Sequence, residues 1–286
     1  MTTILIRIYN KLCVWIPGFR KISRKLMYQA MGRFLKQDEW TYMNYGYADL
    51  DGNKNLPVLD KTDEENRLSY QLYNHLAAEI ELEDKQILEV GSGRGGGASM
   101  IKKYHKPEKL VGLDYSGTAV KLCNRNLSTN GLAFIEGDAE NMPFSAESFD
   151  AVINVESSHC YYSMKCFLNE VIKVLRPGGH FLFTDFRKHH EIDELESLIS
   201  ASGLEVLKKR DVTPNVIKAL DEDHDRRMKL ISQFVPKPFL KQFREFAGVK
   251  NSIVYKQFEK SELLYLSYIM RKPLQKPVPL TFTKPI

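Results

Sequence analysis

One stretch limits what this chain can be more than any other: Gly91-Ser92-Gly93-Arg94-Gly95-Gly96-Gly97, set directly behind the apolar run Ile87-Leu88-Glu89-Val90. Glycines clustered behind a strand mark a turn whose backbone takes dihedrals that a Cβ forbids and comes close to a ligand. Gly91, Gly93 and Gly96 fit the pattern G-x-G-x-x-G. Asp114 ends the next apolar run, Leu110-Val111-Gly112-Leu113, 23 residues after Gly91. An acid there accepts hydrogen bonds from ribose hydroxyls. These two signals point to a nucleoside cofactor and no further.

Short apolar runs alternate with helical patterns from Gln86 onward. Strands are expected at 87–90, 110–114, 133–135, 151–153 and 180–183, with helices around 96–104, 117–127 and 164–175. Alternation of this kind requires crossovers, hence a mostly parallel sheet with helices on both faces. Pro177-Gly178-Gly179 is expected to end the helix before the fifth strand. Upstream, Thr62-Asp63-Glu64-Glu65 reads as a capping box opening a helix with Leu68, Leu72, Leu76 and Ile80 on one face. Downstream, Ile192 to Ile199 reads as a helix stopped at Gly203, followed by a strand at 204–207 and two or three helices over 214–247. Residues 254–270 read as strand. The organisation is a basic arm (1–37), a lid and first helix (38–84), a catalytic domain (85–272) with a helical insertion at 214–247, and a proline-rich tail (273–286).

Charge is concentrated at one end. Residues 1–36 hold eight bases and no acid, so the other 250 residues net −3 although the whole chain carries +5. Ile4, Ile8, Leu12 and Trp15 recur at helical spacing in that arm, with Arg7 and Lys11 on another face. Three roles compete for it: packing on its own domain, covering the active site, or a peripheral contact with anionic membrane. A slightly acidic catalytic domain without a basic, aromatic stripe argues against nucleic acid. No apolar stretch is long enough to span a bilayer, and the arm lacks the apolar core and cleavage site of a signal peptide. Cys13, Cys123, Cys160 and Cys166 form no CxxC pair, so a reduced cytoplasmic setting is expected. His159, Cys160 and Cys166 match no closed metal site, and no metal is expected.

The third and fourth strands separate the readings. Glu89 to Gly95 also fits E-x-G-x-G-x-G, Gly137-Asp138-Ala139-Glu140-Asn141-Met142-Pro143-Phe144 follows the third strand, Ser148-Phe149-Asp150 leads into the fourth, and Val174-Leu175-Arg176-Pro177-Gly178-Gly179 precedes the fifth. In this order the pieces resemble the class I S-adenosylmethionine-dependent methyltransferases over residues 85–187. Together with Asn154-Val155-Glu156-Ser157-Ser158-His159-Cys160-Tyr161 they look like the phthiotriolone and phenolphthiotriolone dimycocerosate methyltransferases and their relatives, a likeness running from about Trp40 to Met270. The resemblance implies a Rossmann-like seven-stranded methyltransferase sheet with a helical N-terminal extension and cap, S-adenosyl-L-methionine as cofactor, and O-methylation of a hydroxyl on a lipid or polyketide. It also implies that Asp138 accepts from an adenine amino group beside the Ala139 backbone. The candidate cofactor residues are Glu89, Gly91, Gly93, Gly95, Asp114, Tyr115, Asp138, Ala139 and Asn154, with Tyr42 and Tyr45 from the lid.

A hydroxyl acceptor must lose a proton, and His159, just past the fourth strand where sheet topology puts the substrate crevice, is the candidate base. His189 and His190 are weaker candidates; Glu156 and Asp185 are candidates for orienting the base or acceptor. Tyr42, Tyr45 and Tyr47 supply aromatic faces for a sulfonium. Phe234, Val235, Phe239, Leu240, Phe243 and Phe246 offer a roof for an apolar acceptor, although such residues more often make only a core. A fatty-acid carboxylate is the alternative acceptor. A nicotinamide-dependent oxidoreductase and a non-catalytic membrane adaptor are the alternatives from other classes.

Overall fold

The computed structural model describes residues 41–50, 52 and 56–274. The basic arm at 1–37, with its expected amphipathic helix, lies outside the described residues, as does the proline-rich tail beyond Leu274. Seven strands form one sheet: β1 (Gln86–Val90), β2 (Lys109–Asp114), β3 (Leu132–Glu136), β4 (Phe149–Val155), β5 (Leu175–Lys188), β6 (Glu205–Asp211) and β7 (Leu263–Arg271). Their order is β3-β2-β1-β4-β5-β7-β6. β1 to β5 run parallel, and β7 is antiparallel to both neighbours. This is a Rossmann-like, mostly parallel sheet with helices on both faces.

Alternate side chains of each strand go to opposite faces, which is why near-continuous apolar runs are needed. Ile87, Leu110, Ile153 and Leu182 pack with Tyr70, Leu72 and Leu76 of α1 (Arg67–Ala77) and Ala98 and Ile101 of α2 (Gly96–His105). Leu88, Val90, Val152 and Phe181 face the other way, onto Phe167 and Val171 of α4 (Met164–Val174) and Leu195 and Ile199 of α5 (Ile192–Ser202). Between β2 and β3 runs α3 (Gly117–Asn126), capped where the Ser116 hydroxyl accepts from the Ala119 amide. After β6 the chain forms α6 (Thr213–Glu222), α7 (His224–Phe234) and α8 (Leu240–Phe246). Ile231, Val235, Phe243 and Val249 give α7 and α8 a small core of their own. Among the described residues, no helix is long and apolar enough to cross a membrane.

Three local expectations fail. The capping box at Thr62 does not form: Glu64–Asn66 make a single tight turn and α1 starts at Arg67. Asp63 instead accepts from Lys103 Nζ and Tyr104 OH of α2, each at 2.6 Å, so tertiary partners displace the local cap. Residues 254–270 are not all strand. Ser252 accepts from the Tyr255 amide at 3.1 Å and opens α9 (Ile253–Glu259), which buries Tyr255 and Phe258 before β7 begins. Pro177 does not end α4, which stops at Val174; Leu175 already pairs with Phe149, and a register shift between Phe149 and Ala151 accommodates the Pro-Gly-Gly segment within β5.

Candidate active site

Strand order reverses between β1 and β4, and in open α/β sheets the ligand crevice lies at the carboxyl ends beside that reversal. Gly91, Gly93 and Gly95 turn the chain there with φ of 77°, 53° and 80°. A Cβ on Gly91 would stand 2.3 Å from Ser157 Oγ, so only glycine fits. Gly91 and Ser92 amides both donate to the Leu113 carbonyl, at 2.8 and 3.0 Å, tying the turn to the end of β2.

Two acids flank the turn differently. The Asp114 carboxylate accepts from the Gly93 amide at 2.7 Å and the Ser116 amide at 2.8 Å, while burial pushes its carboxyl up to about 6. Glu89 is 2% exposed, its polar neighbours are the Tyr73 hydroxyl and the Ala98 amide, and neither of its oxygens has a partner at hydrogen-bond geometry. Burial pushes the Glu89 carboxyl up to about 8. Asn154, fully buried on β4, donates to the Val90 carbonyl, Ser157 Oγ and Tyr161 OH, and its Oδ1 has no partner. The structure brings Glu89, Asn154 and the glycines together. Tyr115, 37% exposed, follows Asp114. Past β3, the Asp138 carboxylate accepts from the Glu140 amide at 3.0 Å beside buried Ala139, and the Gly137 amide donates to the Asp114 carbonyl, joining the two loops.

The segment Thr41–Tyr45 lies over the turn. Tyr42 OH donates to the Gly96 carbonyl at 3.0 Å, and Met43 Cε stands 3.0 Å from where a Gly93 Cβ would be. Tyr45 goes elsewhere: its ring packs on Phe186 and Phe258, and its amide donates to Glu156 Oε2 at 2.9 Å. Tyr47 stacks on His75. Behind this segment a small open cleft is lined by Met43, Asn44, Arg226, Arg227, Leu230 and Phe246 among others. The buried Arg227 guanidinium pins the segment by donating to the Asn44 and Ala247 carbonyls, both at 3.0 Å, and to Asp223.

His159 sits on a tight turn, Ser158–Cys160, just after β4. Its Nδ1 is 2.8 Å from Asp185 Oδ1, and its own amide donates to Asp185 Oδ2 at 2.8 Å. The Asp185 side chain is fully buried and the imidazole 22% exposed. Burial by itself favours a neutral ring, but the Asp185 charge, the neighbouring Cys160 and hydrogen bonds to both outweigh it and raise the imidazole to about 10. The same pairing, with Arg187 at 3.2 Å, holds Asp185 below the usual carboxylate range against its burial. The imidazole packs 4.3 Å from Phe186, whose ring also meets Phe258 and Tyr265. His189 and His190 lie on the turn after β5 and are exposed.

Some residues here left no pattern to read. Arg187 Nη2 donates to Ser158 Oγ at 2.6 Å, and Ser158 Oγ donates to Asp185 at 2.6 Å. The signal available was two charges, Asp185 and Arg187, closing the apolar run of β5. Glu156 adopts φ 49°, unusual without a glycine, and its Oε2 also accepts from Tyr265 OH at 2.8 Å. Burial pushes that carboxyl up to about 8. Glu156 thereby fastens the covering segment to β7, a junction between residues 45, 156 and 265 that no local spacing announces.

A family model described as "Methyltransferase domain" matches residues 88–183. The chain is 36% identical over 253 residues to the fatty-acid O-methyltransferase of Mycolicibacterium smegmatis, covering 88% of this chain and 91% of that one. It is 38% identical over 245 residues to the phthiotriol/phenolphthiotriol dimycocerosates methyltransferase of Mycobacterium tuberculosis, covering 86% and 90%. Among solved structures, geranyl diphosphate C-methyltransferase of Streptomyces coelicolor, in complex with Mg2+, geranyl diphosphate and S-adenosyl-L-homocysteine, matches with a TM-score of 0.59. That match covers 86% of this chain and 97% of that one at 14% identity, and shows the fold alone. The oxidoreductase and adaptor readings give way to these relatives. The likeness to the two mycobacterial proteins covers more than four fifths of this chain and of each of them, and the chain belongs to the S-adenosylmethionine-dependent methyltransferase family.

Proposed function

We propose that this enzyme methylates an oxygen of a lipid-like acceptor, with the His159–Asp185 pair acting on that oxygen. The observation that carries the reading is a histidine hydrogen-bonded to a buried carboxylate and packed on an aromatic cluster, at the carboxyl end of β4. S-adenosyl-L-methionine, when bound, supplies a methyl group on a sulfonium, ready for in-line displacement. The residues suit that group: orphaned acceptors on Glu89 and Asn154 need donors that its ammonium provides, and the glycine turn leaves room that a Cβ would fill. Glu89, Gly91, Gly93, Gly95, Asp114 and Asn154 would hold it, with Tyr115, Asp138 and Ala139 toward the adenine and Tyr42 over the turn.

For a hydroxyl acceptor, His159 takes the proton on the ring nitrogen away from Asp185, and the carboxylate stabilises the resulting imidazolium. For a carboxylate acceptor no proton need move, and an imidazolium with its proton held to about pH 10 attracts the anion instead. The raised imidazole supports that second reading, as does the name of the Mycolicibacterium relative. Replacing Asp114 by Ala is expected to weaken cofactor binding by about 1.5 to 3 kcal/mol through loss of charge-assisted bonds. Calorimetry tests this, and unchanged affinity would remove Asp114 from the site. We also propose that the arm at 1–36 makes a peripheral contact with anionic membrane, supported by its eight bases without an acid. Its deletion should cut sedimentation with anionic vesicles while cofactor binding persists; equal sedimentation would eliminate the contact.

A further inference from the structure

We propose that the α7–α8 hairpin is a second docking surface, one that rests on an anionic lipid surface whatever the acceptor is. From Arg226 to Arg244 the chain carries six bases and no acid. Arg226 and Arg227 turn inward onto Asp223. Lys229, Lys237, Lys241 and Arg244 are exposed, and among the described residues none of the four forms an ion pair. Nearby bases behave otherwise: Lys218 binds Glu222 and Lys250 binds Asp221. Four exposed cations without an ion pair, against one exposed carboxylate, leave the hairpin surface net positive.

The tip of that hairpin has the composition that an interface with lipid favours. Pro236, Lys237, Pro238 and Phe239 connect the two helices, all exposed, with Phe239 at 44%. An aromatic ring between lysines places apolar area at headgroup depth while the charges meet lipid phosphates. Of the remaining exposed side chains of the two helices, Ser232, Gln233 and Gln242 are uncharged, and the one exposed carboxylate among their described residues, Asp225, lies in the first turn of α7, at the end away from the tip. On α7 the exposed positions 225, 229, 232 and 233 follow helical spacing, as do 241 and 244 on α8. The inner side of the hairpin is its small apolar core, so the basic face is the one turned to solvent.

The test compares the full-length chain with a variant carrying Lys229→Gln, Lys237→Gln, Lys241→Gln and Arg244→Gln. Both are sedimented with phosphatidylcholine vesicles with and without phosphatidylserine. Wild type is expected to bind only the phosphatidylserine vesicles, less so as salt rises, and the variant about six-hundredfold more weakly, from roughly fivefold for each of the four cations lost. Phe239→Ser, with every charge kept, is expected to weaken binding about tenfold at all salt concentrations. Unchanged S-adenosyl-L-methionine affinity in each variant establishes that the protein is folded. Equal vesicle binding by wild type and the quadruple variant overturns the proposal and leaves any membrane contact to the arm. Binding of wild type to polyglutamate but not to the vesicles overturns it in favour of an acidic protein partner.

Discussion

Substitution of His159 by Ala will leave S-adenosyl-L-methionine affinity unchanged and lower turnover of a hydroxyl acceptor about 10²- to 10⁴-fold, the usual cost of removing a general base. The pH profile identifies which task the side chain performs. With the imidazole raised to about 10 by Asp185 and, after it, Cys160, its neutral form is scarce at pH 7. A base-catalysed rate is proportional to that neutral form, so kcat/KM rises about tenfold per pH unit and levels near pH 10. An imidazolium that attracts a carboxylate acceptor behaves in the opposite sense: activity is full through neutral pH and falls as pH passes 10. Asp185→Asn removes the larger of the two influences that raise the ring, leaving that of Cys160. The levelling point should then move down toward the ordinary histidine range of about 6.5. Near-normal turnover of His159→Ala on the true acceptor, or a profile untouched by Asp185→Asn, would show that the pair does neither task.

Gly91→Ala is expected to abolish measurable cofactor binding and to cost about 1 to 3 kcal/mol of stability, because its φ of 77° is strained for any residue with a Cβ. The new methyl would also stand 2.3 Å from Ser157 Oγ. Ser157 cannot simply rotate away, since its hydroxyl is bonded to Asn154 and to the Tyr161 hydroxyl. Ser157→Gly in the same chain removes the collision but not the backbone strain. The double variant should therefore recover part of the stability and less of the affinity. Thermal denaturation and calorimetry read the two effects separately; a single variant with unaltered binding would show that the turn does not hold the cofactor.

How far the site could be read in advance depended on the range of the interactions that build it. The glycine turn, Asp114, Asp138 and the position of His159 at the end of β4 follow from contiguous patterns, because each rests on a strand, a turn and a helix adjacent in sequence. The capping box at Thr62 and the strand expected from Val254 misled for the opposite reason. Asp63 found Lys103 and Tyr104 forty residues away, and Ser252 with Tyr255 and Phe258 made a helix once there was a core to bury them in. Local preference is worth tenths of a kcal/mol to about one, and tertiary contacts of this kind override it.

By itself the sequence determined the alternation of strands and helices, hence the parallel sheet, and the place along the chain where a nucleoside cofactor meets the backbone. Periodicity and glycine placement are local, and they survive without knowledge of partners. Only the tertiary structure decided that His159 meets Asp185 across 26 residues, that Arg187 and Ser158 complete that pair, and that Glu156 meets Tyr45 across 111 residues and Tyr265 across 109. It also decided that the four cations of the α7–α8 hairpin form no ion pair among the described residues while Lys218 and Lys250 do. Charge pairing and burial are set by which elements come to lie side by side, and that is a property of the folded sheet, not of spacing along the chain.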